Sequence, residues 1–184
     1  MSEFEFVQVT IAIILGLGIT AILRNIGEQI RRRSEIQMYS LQLASCCLLI
    51  LVILRYLWTF WSTLEVSWNL PLFLLAVSSP IALALSAQVI SVDCDSTMSP
   101  EHQYFENCRA TYLFWASAPL FGVFFDAVSG IENSLLNVGF RFLVIVLLGS
   151  LAFTKRPSYH WFVLLFLFIT LVGGMSRTQF ALTN

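Results

Sequence analysis

Long runs of apolar residues separated by short polar segments make up almost all of the chain, at 6–25, 37–61, 68–92, 108–129, 134–154 and 158–180. A helix that rises about 1.5 Å per residue needs about 20 apolar residues to cross a hydrocarbon core of roughly 30 Å. Each run is long enough, so the pattern predicts an all-α polytopic integral membrane protein. The expected architecture is a six-transmembrane-helix bundle with short loops, a single transmembrane domain over residues 1–184.

The polar segments refine this picture. Between the first two runs, Arg24, Glu28 and Arg32 follow one another at four-residue spacing, and Leu23, Ile26 and Ile30 continue a helical face. The segment reads as a helical extension of the first span lying at the membrane surface, with Arg24, Arg31, Arg32 and Arg33 as a basic surface patch. The longest loop, from Val92 to Asn107, contains Ser99-Pro100-Glu101, a helix N-cap followed by proline at the first helical position. The fourth helix is therefore expected to begin before its apolar run.

Charge placement orients the bundle. Arg24, Arg31, Arg32, Arg33, Arg109, Lys155 and Arg156 fall on one side of the six runs, and Arg55, Arg141 and Arg177 toward the other. The excess of cations on cytoplasmic loops predicts both termini outside, an N-out/C-out topology. Trp58, Trp61 and Trp68 then flank the outer turn between the second and third helices, where indole rings favour the interface. Met1 to Glu5 carries acid and no basic n-region, so the first helix is expected to remain in the mature protein.

Composition supports the same class. Hydrophobic residues form 58% of the 184 and charged residues 11%, with a mean hydropathy of +0.80. A typical soluble domain is about 45–50% apolar and about 25% charged. A net charge of −1 gives no reason to expect nucleic acid as a partner. The expected partners are membrane lipids and, by self-association or in a larger complex, other membrane subunits. Compact loops point to a bacterial inner (plasma) membrane.

Ionisable groups inside spans are costly unless paired or hydrated, which makes them candidates for function. Arg55, Asp126 and Arg141 lie within one or two turns of the outer ends of the second, fourth and fifth runs. Asp126 is the acid at that depth, and it is expected to pair with one of the two arginines. The other arginine is then left to a carbonyl, water, a lipid phosphate or an anionic ligand. Such a cluster serves either to tie helices together or to line a pathway.

A second candidate lies near the bilayer middle. Ser78-Ser79-Pro80 and Ser117-Ala118-Pro119 interrupt the third and fourth helices at similar depth, and each proline frees a backbone carbonyl that the neighbouring serines are placed to satisfy. With Gln88 they form a possible polar midplane site, although packing kinks are the commoner meaning of such prolines. Ala12, Gly16 and Thr20 on the first helix follow the small-xxx-small spacing that allows close helix approach, and Gly18 and Gly173-Gly174 suit the same purpose.

The remaining chemistry is sparse. Cys46 and Cys47 sit in an apolar run, and Cys94 and Cys108 flank a loop expected to face the reducing cytoplasm, so free thiols are expected. His102 and His160 are expected near that same surface, at no spacing that marks a metal site. The single lysine, Lys155, excludes a retinal Schiff base within a span. No ion-filter sequence, arginine ladder, zinc-protease motif or phosphate loop occurs, and the sequence leaves any cofactor unknown.

Three functional readings follow. The first is a non-enzymatic protein whose copies assemble into a channel or small-solute pathway. The second is an accessory or scaffold subunit of a larger membrane complex, its apolar surface with 16 phenylalanines binding protein, lipid or pigment. A membrane-embedded enzyme acting on lipid ranks last, because it needs a polar constellation at one interface that the sequence hardly provides.

Overall fold

The computed structural model describes residues 3–31, 39–60, 68–91, 99–131 and 134–181, with side chains described as far as Gly174. Its elements are α1 (Glu3–Arg31), α2 (Ser40–Phe60), α3 (Leu70–Ile90), α4 (Pro100–Ser129), α5 (Leu135–Phe153) and α6 (Pro157–Ala181). All six are long and apolar enough to cross a membrane, so this is an all-α membrane protein with six candidate spans.

Local chemistry sets the helix starts. The Asn69, Ser99 and Ser134 side chains accept from the backbone N–H groups of Leu72, His102 and Asn137, satisfying donors that the first turns of α3, α4 and α5 leave open. Pro71 and Pro100 sit in the first turns, where a missing N–H costs nothing. α4 ends on Gly130 at φ 73°, the left-handed conformation that glycine adopts without a Cβ clash.

Contacts at the two ends show that successive helices run in opposite directions. Asn25 on α1 meets Ser91 just past α3, Tyr39 packs on Tyr104, and His160 bonds Thr154, all at one end. At the other end Phe4 stacks on Phe60, Trp68 packs on Phe125, and Arg55 reaches Leu171. Helix α3 is central, packed against α1, α2 and α4, while α5 bridges α4 and α6. Half of the α3 span is buried against 17% for α5 and α6, whose outer faces expose Leu136, Val146, Phe162 and Ile169.

Of the small residues on α1, Gly18 and the Ala12–Gly16–Thr20 stripe have different surroundings. A methyl on Gly18 would stand 3.1 Å from the Ala84 Cα, so the close α1–α3 approach is built on Gly18. Ala12 and Thr20 are exposed and a methyl on Gly16 would meet nothing within 4 Å, which leaves the Ala12–Gly16–Thr20 stripe outside the chain's own packing. The reason is rotation, since two residues along a helix turn the side chain by about 200°.

At its end α1 buries polar side chains as well as apolar ones. The helix runs on to Arg31, but Leu23 and Ile30 are exposed, and the buried residues are Asn25 and Gln29. Their amides explain this. Asn25 Nδ2 donates to the Ser91 carbonyl at 3.2 Å, Gln29 Nε2 to Asn25 Oδ1 at 2.8 Å, and Gln42 Nε2 from α2 to the Ile90 carbonyl at 3.0 Å. The carbonyls at the C-terminal end of α3 lack helical partners, and these side chains supply donors where water has little access. Trp68, just before α3, packs between Phe60 and Phe125.

Candidate functional site

The charged residues near the α2, α4 and α5 ends do not form one cluster. Arg141 Nη1 forms an ion pair with Asp126 Oδ2, joining α5 to α4. Arg55 turns the other way, and its Nη1 donates to the Leu171 carbonyl of α6 at 3.1 Å. A methyl on Gly174 would stand 2.7 Å from that same nitrogen, so the glycine leaves room for the guanidinium against α6. A carbonyl in apolar surroundings is a sound partner for a cation, because a hydrogen bond to a charged donor is stronger than a neutral one. The three charged residues therefore tie α4 to α5 and α2 to α6 through two separate contacts.

The proline-flanked residues are also tied down. Ser79 Oγ, 2% exposed, donates across the helix boundary to the Ala118 carbonyl at 2.8 Å. Ser78 and Ser117 bond back to the Leu74 and Phe114 carbonyls of their own helices, at 2.7 and 2.8 Å. The carbonyl that Pro80 releases is that of Ala76, and its donor is the Tyr56 hydroxyl of α2 at 3.4 Å, a partner that serine spacing gave no reason to name. Gln88 lies on an exposed face of α3, away from these groups.

The most extensive polar arrangement lies elsewhere. His160, the fourth residue of α6 and so near one end of the bundle, is wholly buried, enclosed by the rings of Tyr104, Phe105 and Tyr112. Its Nε2 lies 2.7 Å from the Thr154 carbonyl. A carbonyl only accepts, so Nε2 carries the proton, and in the neutral ring Nδ1 accepts from the Tyr104 hydroxyl at 3.0 Å. The Tyr104 and Tyr112 hydroxyls are 2.7 Å apart, and Tyr112 is 2.9 Å from Ser45 Oγ, which bonds the Leu41 carbonyl. A chain of polar groups within hydrogen-bonding distance of one another thus runs from the α5–α6 turn through α4 into α2.

The helical repeat accounts for part of this chain. Tyr104, Cys108 and Tyr112 stand at four-residue spacing on the buried face of α4, a stripe that is readable along with the helix. Ser45 and His160 enter from other helices, and no local pattern announces them. The Cys108 thiol donates to the Phe105 carbonyl at 3.2 Å.

No known family model, curated protein or solved structure matches this chain.

Among the described residues no group of three or more His, Cys, Asp or Glu side chains could hold a metal. His102 is exposed and faces Glu106 at 3.6 Å. In the basic patch, Arg24 and Arg31 are exposed, and Arg31 bonds Glu28 at 3.1 Å. Arg32, Arg33, Trp61, Cys94 and the Arg177 side chain lie outside the described residues.

Proposed function

We propose that this protein is a non-enzymatic accessory or scaffold subunit acting through association with other components of its membrane. One observation carries the reading. The polar side chains that a solute pathway would use are bonded to backbone carbonyls or to each other across helices: Arg55 to Leu171, Asp126 to Arg141, Ser79 to Ala118. Groups engaged in this way hold helices together and are poorly placed to line a hydrated lumen. The outer faces of α5 and α6 would meet lipid, a partner subunit or a pigment.

Assembly of several copies into a channel or small-solute pathway is the second reading. The exposed Ala12–Gly16–Thr20 face of α1 favours it, because small residues let a neighbouring helix approach closely. In both readings the chain lies N-out/C-out in a bacterial inner membrane, since Arg24, Arg31, Arg109, Lys155 and Arg156 gather at one end of the bundle.

The test is the native mass and composition of the complex extracted in mild detergent, with its absorption spectrum taken on the same sample. Co-purifying subunits or a bound pigment are expected. A colourless homo-oligomer that conducts solute in liposomes would reject the scaffold reading in favour of the pathway.

A further inference from the structure

Beside the tyrosine pair, at the end of the bundle where α3 finishes, α2, α3 and α4 enclose a small cavity. It measures about 10 Å³ over the positions open to the centre of a water molecule, and its polar lining is Gln42, Gln103, Tyr104, Asn107, Thr111 and Tyr112. Thr111 is 1% exposed, its backbone carbonyl accepts from Ser86 Oγ at 3.0 Å, and its hydroxyl has no protein partner among the described residues.

We propose that this cavity is a binding site for one water molecule, held by the Thr111 hydroxyl and continuing the Tyr104–Tyr112 hydroxyl chain. Its size matches a single water, which needs about 10–15 Å³ by this measure and about two to four polar partners. The lining offers that many, whereas buried cavities that stay dry are lined by apolar groups. Charge excludes the ions. Among the described residues no carboxylate lines the cavity to hold a cation, and no arginine, lysine or histidine lines it to hold an anion. A larger solute exceeds the space. The water also resolves an energetic conflict, because a buried hydroxyl without a partner bears its full desolvation cost. Its position extends the chain that begins at His160 and joins it to the amides beneath the end of α3.

The sign of one substitution discriminates between a wet and a dry cavity. Thr111→Val keeps the shape and removes the hydroxyl, leaving the Ser86 bond to the backbone intact. With a water bound, Thr111→Val should lower the melting temperature in detergent by about 2–4 °C, while Thr111→Ser keeps the water and melts above Thr111→Val. A dry cavity predicts the reverse, since removing an unsatisfied hydroxyl is neutral or stabilising. An unchanged or raised melting temperature for Thr111→Val therefore overturns the proposal. A high-resolution structure of the unaltered protein is the second measurement and stands even where the variants fail to fold. It should show a density peak within hydrogen-bonding distance of Thr111 Oγ1, and no peak in a map that resolves other buried waters overturns the proposal.

Discussion

The Ser79 hydroxyl donates to the Ala118 carbonyl at 2.8 Å, so the residue before the proline of α3 is bound to the residue before the proline of α4. Two proline-containing helices are thereby joined beside their prolines. Ser79→Ala should destabilise the protein by about 0.6–1.7 kcal/mol, the range found for interhelical hydrogen bonds in membranes. Ser78→Ala, which breaks a bond only within α3, should change stability by less. Thermal unfolding of the two variants in detergent tests the contrast, and equal losses would mean that the interhelical bond contributes nothing beyond the local one.

Gly174 and Gly173 are neighbours in sequence with different surroundings. A methyl at 174 would displace the Arg55 guanidinium from the Leu171 carbonyl, while a methyl at 173 has nothing within 4 Å. Gly173→Ala should be neutral or stabilising, as alanine is the better helix former. Gly174→Ala should be less stable than Gly173→Ala by about 1.5–3 kcal/mol, the worth of a hydrogen bond from a charged group. The comparison cancels helix propensity and isolates the arginine contact.

Asp126 shares its ion pair with Arg141, whereas Arg55 bonds α6. A double-mutant cycle between Asp126→Asn and Arg141→Gln should give a coupling of about 0.5–3 kcal/mol, and the cycle with Arg55→Gln should be close to additive. Stronger coupling to Arg55 would reverse this assignment.

The buried hydroxyl chain has its own signature. Tyr104→Phe removes the donor to His160 Nδ1 and a partner of Tyr112 at once, and should cost about 1–3 kcal/mol through the groups left unsatisfied. The ring proton on Nε2 should remain, because the Thr154 carbonyl still requires a donor. Nitrogen NMR of the labelled imidazole reads that tautomer directly, and a shift of the proton to Nδ1 would contradict the arrangement.

Close packing of α1 on α3 gives a final contrast. Gly18→Val should destabilise by about 1–3 kcal/mol through overpacking, because even a Cβ at this position lies 3.1 Å from backbone of α3. Gly16→Val, with open space around it, should be tolerated in the isolated subunit. A variant at Gly16 that folds but changes the native mass of the complex would identify the α1 stripe as a contact between subunits.

Sequence by itself determined the class and the number of helices in this protein. Transfer of a long apolar segment into lipid is a property of the segment, so six runs specify six helices. The start of α4 was legible for the same reason, since Ser99 acts on an N–H group three residues away, as Asn69 and Ser134 do at the starts of α3 and α5. Candidate charges were visible too, because an ionisable residue in an apolar run stands out whatever surrounds it. Their partners were not. Whether Asp126 meets Arg55 or Arg141, whether Gly16 or Gly18 takes the neighbouring helix, and whether His160 faces solvent or two tyrosines all depend on how each helix is rotated. In water the apolar stripe of a helix reports that rotation, but a membrane helix is apolar on every side. Only tertiary packing decides which face turns inward, and it places the hydrogen-bonded chain from Ser45 to His160 in the interior of the bundle.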